Sequence, residues 1–198
     1  MTVKRLIVPL LGLLLVIGAF ASYAARAPEP QNPKKKTTLQ KYIIAGDAYQ
    51  SWKATPEKVK ILDVRTPEEY FFVGHAPMAR NIPLLLWTGN WNQDGKKYDL
   101  KRNPDFEEQV KKYYKPTDTV MVMCRTGERS AEAVNSMAKL GFTDVYNIID
   151  SFEGDPITDT DSYYVGKRLK NGWKNSGAPW TYEVDTTLIY PALEQKTK

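Results

Sequence analysis

Apolar runs without polar interruption alternate along this chain with segments whose apolar positions recur at helical spacing. Runs of the first kind are typical of strands that are buried on both faces, as in a parallel sheet. The predicted strands cover residues 42–44, 59–64, 79–82, 119–123 and 145–148. The predicted helices cover residues 47–54, a segment beginning at 67, and residues 105–114, 130–140 and 163–169. This alternation predicts an α/β fold, with a parallel central sheet and helices on both of its faces.

Local capping patterns define several of the predicted helix starts. Thr66 is followed by Pro67 and then by Glu69, which is the pattern of a capping box with proline at the first helical position. Asp47 and Ser130 are the side chains expected to cap the first helix and the helix over residues 130–140.

The first 24 residues have the three-part order of a secretory signal peptide. A basic pair at residues 4–5 precedes an apolar run over residues 6–21, and Ser22-x-Ala24 fits the small-x-small cleavage pattern. The alternative is an uncleaved anchor, for which a run of 16 residues is short against a hydrocarbon core of about 30 Å. Cleavage is the favoured interpretation. Either outcome predicts an exported protein, periplasmic in a Gram-negative bacterium, that contacts a membrane only if the leader is retained.

Composition divides the rest of the chain into three parts. Residues 25–37 are rich in proline and lysine and are expected to form a solvated linker. Residues 38–182 carry the alternating strands and helices and form the predicted domain. Residues 183–198 form a predicted C-terminal tail.

The distribution of charge argues against nucleic acid as a partner. The net charge of +5 arises entirely from residues 1–36, which hold six basic residues against Glu29, whereas residues 37–198 hold 22 basic and 22 acidic residues. A domain with balanced charge has no evident surface for phosphate contacts through counterion release.

The chain has one cysteine, Cys124, and one histidine, His75. One cysteine cannot form an intrachain disulfide, and these two residues cannot supply the usual ligands of a structural zinc site. We therefore expect a domain that is stabilised by its core, with no metal and no cofactor.

Cys124 ends the most apolar of the predicted strands and is followed by a short charged loop and then by a helix. Sites in parallel α/β sheets form at the carboxyl ends of strands, and a loop that turns into a helix aims backbone N–H groups at one point. Those dipoles, together with Arg125 and Arg129, are expected to depress the thiol pKa, and Gly127 permits a positive φ. The alternative interpretation, a small buried apolar residue, is weakened by the charged loop that follows.

Four segments of the chain, in their order, resemble the rhodanese (sulfurtransferase) family. These segments are ILDVRTPEEY (61–70), GHAPMARNIP (74–83), CRTGERS (124–130) and LGFTDVYNIIDSFEG (140–154). The later stretch GWKNSGAPW (172–180) is similar to the close of many single-domain members. The chain departs from the family pattern at Met78 and at Asp150-Ser151, where glycine is usual, and at Asp155, where tryptophan is usual.

The resemblance covers about residues 40–180 and implies a rhodanese-like fold with two-step nucleophilic catalysis. In the family, the loop cysteine, here Cys124, takes a sulfane sulfur as a persulfide and passes it to a second substrate. The implied donor is a small sulfur-containing anion such as thiosulfate, the implied acceptor is a thiol or cyanide, and a protein partner is left open. The implied substrate-binding residues are Arg125, Thr126, Gly127, Glu128, Arg129 and Ser130, and the implied structural supports are Asp63, Arg65, Glu69 and His75.

Several of these roles have alternatives. Arg129 either attracts an anionic donor or braces the loop by pairing with Asp63 or Glu69. His75 is structural in the family pattern, and a cysteine–histidine dyad is the other interpretation. A thiol-based phosphatase or arsenate reductase is disfavoured, because the arginine lies fifth after Cys124, whereas cysteine-based phosphatases place theirs sixth in a larger loop.

Residues 84–118 are longer than the compact members of the family need, and they contain Trp87 and Trp91. Such an insert forms either a lid or donor-specific wall, or a surface excursion that is held by tryptophan packing. The alternative function depends on this insert: a non-catalytic rhodanese-fold module that binds a partner in extracytoplasmic sulfur or redox metabolism.

Overall fold

A computed structural model describes residues 26–190, and the predicted signal peptide, residues 1–24, lies outside the described residues. In chain order the elements are β1 (Tyr42–Ile43), α1 (Ala45–Ala54), β2 (Val59–Asp63), α2 (Pro67–Val73), β3 (Arg80–Asn81), β4 (Leu85–Asn92), β5 (Lys97–Arg102), α3 (Phe106–Tyr113), β6 (Thr119–Met123), α4 (Glu128–Lys139) and β7 (Val145–Ile148). Short 3₁₀ turns cover Pro33–Lys35 and Trp173–Asn175. Within this range, no helix is both long and apolar enough to cross a membrane.

Five strands form one parallel sheet in the order β1-β7-β6-β2-β3. The central strand, β6, pairs with β2 on one side and with β7 on the other. Parallel neighbours need crossover connections, which is why helices separate most of these strands along the chain. The predicted α/β fold with a parallel central sheet is confirmed.

Alternate residues of β6 face opposite sides of the sheet, so one strand contributes to two cores. Val120 and Val122 pack in a buried cluster with residues of α3 and α4. Met121 and Met123 pack in a second buried cluster with α1 and Trp173. Both faces of the sheet are therefore covered. Cys124 follows directly after β6, the central strand.

The starts of α1 and α4 differ from the predicted ones. α1 begins two residues before Asp47, and the N–H of Ala45 donates to the carboxylate of Asp150 at 2.8 Å. α4 begins ahead of Ser130, which therefore lies inside the first turn and does not cap the helix. The predicted capping box at Thr66, by contrast, is fully formed.

The helix predicted over residues 163–169 is wrong, since this segment consists of turns and irregular backbone. Gly166 has φ +79°, a left-handed angle that breaks a helix. Its N–H donates to the carbonyl of Ile157 at 2.8 Å, and the Ile157 N–H donates to the carbonyl of Lys167 at 2.9 Å. These bonds fold the segment back onto earlier residues in place of helical hydrogen bonds.

The segment over residues 84–118 contains a two-stranded antiparallel hairpin of β4 and β5, which the sequence pattern did not predict. The ring of Tyr98 lies 5.3 Å from that of Trp87 and 5.2 Å from that of Trp91. Cross-strand aromatic contacts of this kind stabilise a hairpin whose strands are largely exposed. Because neither face is fully buried, the hairpin lacks the apolar run that identified the other strands.

Residues 26–37, predicted as a solvated linker, make hydrogen bonds to the domain, although most of their side chains are exposed. The N–H of Ala27 donates to the carbonyl of Tyr42 at 2.8 Å. The ammonium of Lys35 donates to the carbonyl of Ile149 at 2.9 Å. The segment is thereby held beside β1 and beside the end of β7.

The domain also includes residues 183–190, beyond the boundary predicted at 182. Ile189 and Tyr190 are buried. The N–H of Asn81 donates to the carbonyl of Leu188 at 2.7 Å. The rest of the predicted tail, residues 191–198, lies outside the described residues.

Candidate active site

The loop after β6 places Cys124 at the carboxyl edge of the sheet, where the residue is 1% exposed. The N–H of Gly127 donates to its Sγ at 3.1 Å. Gly127 has φ +105°, and a Cβ at this position would lie 2.4 Å from the carbonyl oxygen of Ile149. The positive φ that Gly127 was predicted to permit is present, and the close packing of the loop is a second reason for glycine that the sequence did not indicate.

Two serine hydroxyls flank the sulfur. Ser130 Oγ lies 3.4 Å from Cys124 Sγ, and Ser151 Oγ lies 3.7 Å from it. Each hydroxyl has one proton to donate. Ser130 Oγ lies 2.7 Å from Asn147 Oδ1, and Ser151 Oγ lies 2.8 Å from the carbonyl of Ile148. Each proton can therefore turn from its oxygen acceptor toward a sulfur that becomes negative.

The surroundings of Cys124 favour the thiolate. Burial raises the pKa of the Cys124 thiol, but the charge of Arg129 and the hydrogen bonds from Ser130 and Gly127 outweigh it and hold this pKa below its ordinary value. The thiolate is the nucleophilic form of cysteine. The site therefore holds more of the reactive form near neutral pH than a free cysteine would.

Asn147, which is fully buried in β7, connects three separate segments at the site. Its Nδ2 donates to the carbonyls of Gly127 at 3.1 Å and Lys35 at 2.9 Å, and its Oδ1 accepts from Ser130. This residue was not identified from the sequence, because nothing local distinguishes it within a predicted strand. Ser151 was also missed, although the departure from the family's glycine pair marked its position.

Arg129 braces the loop against α2. Its two terminal nitrogens donate to the two carboxylate oxygens of Glu69 at 2.6 and 2.7 Å. The same carboxylate accepts the N–H of Thr66 at 3.0 Å, so it also closes the capping box of α2. Burial raises the pKa of Glu69, but the hydrogen bonds and the charge of Arg129 outweigh burial and hold this pKa below its ordinary value. Of the two partners considered from the sequence, the structure selects Glu69 and not Asp63.

Asp63 pairs with Arg65 in a fully buried ion pair at 2.6 Å. The Arg65 guanidinium also donates to the carbonyl of Gly74 at 2.9 Å and lies 3.9 Å from the ring centre of Phe152. The pair therefore ties β2 to the end of α2 and to the residues that follow β7. These contacts are those of structural supports.

His75 lies against backbone, away from the sulfur. Its Nδ1 is 3.1 Å from the carbonyl of Tyr70, and its Nε2 is 3.2 Å from the carbonyl of Glu183. The imidazole stacks on the Tyr70 ring at 3.7 Å, and burial lowers the pKa of His75. Since both ring nitrogens face carbonyls, the structure does not bring His75 and Cys124 together as a dyad.

Arg125, Thr126 and Glu128 form the outer side of the loop. The Arg125 side chain is 50% exposed, and its Nε lies 3.6 Å from the Glu153 carboxylate. Glu128 accepts a hydrogen bond from the amide of Asn32 at 3.0 Å. Arg125 is therefore the arginine of this loop that is placed to meet an anion from solvent.

A cleft of about 580 Å³, here called the cysteine cleft, lies over the loop. The residues that line it are Cys124, Arg125, Thr126, Glu128, Arg129 and Glu69 on the loop side and Trp87, Lys97, Tyr98 and Leu100 on the hairpin side. A second cavity of about 590 Å³ shares Arg125 but does not include Cys124. The hairpin thus forms one wall of the cleft that contains the thiol.

The arrangement suits nucleophilic attack by sulfur. Within residues 26–190, no group of three or more His, Cys, Asp and Glu side chains is placed to hold a metal ion. The nucleophilic side chain that lines the cleft is Cys124, and the donors at its sulfur are the Gly127 N–H and the Ser130 hydroxyl.

Comparison with known sequences gives one family and several relatives. The family model for the rhodanese-like domain matches residues 46–154. Thiosulfate sulfurtransferase 16, chloroplastic, from Arabidopsis thaliana is 39% identical over 93 residues, which make up 47% of this chain and 70% of that protein. Senescence-associated protein DIN1 from Raphanus sativus is 34% identical over 93 residues, which make up 47% of this chain and 46% of that protein.

Among solved structures, the crystal structure of Rv0390 from M. tuberculosis is similar to this fold, with a TM-score of 0.52 and 24% sequence identity. The match covers 69% of this chain and 95% of that one. At this level of identity the comparison concerns the fold alone.

Proposed function

This chain belongs to the rhodanese-like domain family, and from that membership we propose that it is a sulfurtransferase that carries a sulfane sulfur as a persulfide on Cys124. The observation that supports the proposal most directly is the set of hydrogen bonds at Cys124 Sγ, from Gly127 and Ser130, at the base of an open cleft. Donors aimed at a sulfur stabilise it as an anion, both as thiolate and as persulfide.

In the first step, the Cys124 thiolate attacks the outer sulfur of a donor such as thiosulfate. The sulfur–sulfur bond of the donor breaks, sulfite leaves with the bonding electron pair, and a new sulfur–sulfur bond forms on Cys124. The exposed guanidinium of Arg125 is the group that would attract the donor anion. Arg129 acts through its charge on the thiolate while Glu69 holds it in place.

In the second step, an acceptor thiolate attacks the terminal sulfur of the persulfide. The acceptor becomes a persulfide, and Cys124 leaves as the thiolate, ready for another cycle. Cyanide as the acceptor would leave as thiocyanate. The hydroxyls of Ser130 and Ser151 can donate to the departing sulfur.

Intact-protein mass spectrometry tests this proposal directly, because Cys124 is the single cysteine of the chain. The purified protein is exposed to thiosulfate, to an organic thiosulfonate and to a small-molecule persulfide, and the mass is measured before and after addition of cyanide. We expect a gain of one sulfur atom that cyanide reverses, and no gain in Cys124→Ser. Absence of the added sulfur with every donor would contradict the proposal.

A second candidate is the non-catalytic binding module, which the exposed aromatic side chains of the hairpin favour. Trp87 is 46% exposed and Trp91 is 49% exposed. This candidate predicts that Cys124→Ser preserves the biological role and that deletion of the hairpin abolishes it. The reverse pattern in a knockout complemented with each variant would exclude it.

We also propose that the protein is exported, on the support of the leader-like composition of residues 1–24. Cell fractionation of the full chain with a C-terminal tag tests this proposal. Recovery of the tagged protein in the cytoplasm would contradict it, and the mass of the exported form reports whether the leader is removed.

A further inference from the structure

The cysteine cleft is much larger than a compact inorganic donor requires. Its volume of about 580 Å³ lies in the range of roughly 300–1,000 Å³ that is common for cavities that bind organic ligands. Thiosulfate has roughly the size of a few water molecules, each of which occupies about 30 Å³. An inorganic donor would therefore leave most of the cleft to solvent.

The hairpin wall of the cleft is largely apolar. Trp87, Tyr98 and Leu100 line it, and they are between 39% and 46% exposed. The rings of Trp87 and Tyr98 lie 5.3 Å apart with an interplanar angle of 34°. Aromatic rings favour contact with another flat group, and exposed apolar surface in a cleft is stabilised when a ligand covers it.

The charges of the cleft favour an anion near the thiol. Lys97 approaches from the hairpin and Arg125 from the loop. Two carboxylates also line the cleft: Glu69 is paired with Arg129, whereas Glu128 keeps its charge and accepts a hydrogen bond from Asn32, so that three basic groups face two acidic ones. The cleft thus has an apolar side on the hairpin and cationic groups on both sides.

We propose that the hairpin makes the cysteine cleft selective for an organic sulfane-sulfur anion whose apolar or aromatic group rests against Trp87 and Tyr98. The inference rests on the proposed sulfurtransferase function. With an organic thiosulfonate as the donor, the Cys124 thiolate attacks the outer sulfur, the sulfur–sulfur bond breaks, and the organic sulfinate leaves with the electron pair.

The test compares benzenethiosulfonate with methanethiosulfonate, which share the reactive group and differ in the ring. The measured quantity is the ratio of their kcat/KM values, with cyanide as the acceptor. The intrinsic reactivity of each donor is the same for all variants. A change in the ratio of kcat/KM values between variants therefore measures how the cleft distinguishes the two donors. We expect Trp87→Ala to lower the ratio about tenfold, as loss of an aromatic contact and its buried area implies. Trp87→Phe is expected to restore most of it.

Trp91→Ala is the matched control. Trp91 lies on the same strand with a similar exposure of 49%, and it packs on Tyr98, but it does not line the cleft. The ratio in this variant is expected to stay within about twofold of wild type. An equal fall in Trp87→Ala and Trp91→Ala, or no fall in Trp87→Ala, would overturn the proposed selectivity.

Binding to the unreactive Cys124→Ser protein separates this inference from the proposed function. Titration calorimetry is expected to show tighter binding of benzenethiosulfonate than of methanethiosulfonate, and the difference is expected to be lost with Trp87→Ala added. If the wild-type protein shows no turnover with either donor while the Cys124→Ser protein shows this preference, the sulfurtransferase is refuted and the selectivity stands. Turnover with no binding preference and an unchanged ratio would refute the selectivity alone.

Discussion

The hydroxyl of Ser151 accepts the backbone N–H of Cys124 at 3.0 Å, although the two residues are 27 positions apart in the chain. Ser151 has φ +52°, a left-handed angle that costs about 1–2 kcal/mol for a residue with a side chain. The hydroxyl therefore satisfies a buried N–H at the reactive cysteine from a strained backbone position, where the family pattern has glycine.

Two substitutions of Ser151 separate the strain from the hydrogen bond. Both Ser151→Ala and Ser151→Gly leave the buried Cys124 N–H without its partner, which costs about 1–3 kcal/mol of unfolding free energy. Glycine relieves the left-handed strain, and its greater freedom in the unfolded chain offsets part of that gain. We expect Ser151→Ala to be less stable than Ser151→Gly by about 0.5–1 kcal/mol in urea unfolding. Equal stability of the two variants would show that the position is not strained.

The reactivity of Cys124 should follow the causes of its lowered pKa. Because this pKa lies below the ordinary value, the rise of the iodoacetamide alkylation rate with pH should be centred below that of a free cysteine, about 8.5. Arg129→Gln removes the nearby positive charge and should move the midpoint upward. Ser130→Ala removes one hydrogen bond and should also move it upward.

Arg125→Gln is the control for the alkylation experiment, since this arginine is half exposed and points to Glu153. Its midpoint should move less than that of Arg129→Gln. The assignment of Arg129 as the main favourable charge would fail if the two arginine variants shifted the midpoint equally.

The ion pair of Glu69 and Arg129 should make stability depend on pH in acid. The folded-state pKa of Glu69 is lowered, so its stabilisation is complete above the unfolded value of about 4.3 and is lost as the pH falls through the folded pKa. At neutral pH, Glu69→Gln should lower the unfolding free energy by about 1.5–3 kcal/mol. The difference from wild type should shrink at pH values below about 4.

Urea unfolding across this pH range measures the effect. Glu108, an exposed carboxylate in the first turn of α3, provides the control Glu108→Gln, which should change stability by less than about 0.5 kcal/mol. A stability difference for Glu69→Gln that did not vary between neutral and acid pH would contradict the assignment.

The docked N-terminal segment should contribute to stability through one lysine. The Lys35 ammonium donates to the carbonyl of Ile149 at 2.9 Å and to Asp155 at 3.1 Å. Lys35→Ala is expected to cost about 1 kcal/mol, whereas Lys34→Ala, at an exposed neighbouring position, should cost less than about 0.5 kcal/mol. Comparable losses in the two variants would mean that residues 32–36 are not held as described.

Features within one contiguous segment were predictable from the sequence. The uninterrupted apolar run of β6 indicated a buried parallel strand, the spacing of Thr66 and Glu69 indicated a capping box, and Gly127 marked a tight loop after Cys124. Periodicity and capping depend on residues a few positions apart, so the amino-acid sequence alone is enough to predict these local features.

Contacts between segments that are distant in the chain were decided only by the tertiary structure. Asn147 and Ser151 reach the cysteine loop because β7 lies beside β6 in the sheet, and no local pattern of either strand specifies its neighbour. The choice of Glu69 over Asp63 as the partner of Arg129, the docking of residues 26–37 and the wall formed by the hairpin arise in the same way. The sequence by itself determined the parallel sheet and the loop that presents one cysteine. The packing of remote segments determined which groups surround that sulfur, because only folding brings them within hydrogen-bonding distance.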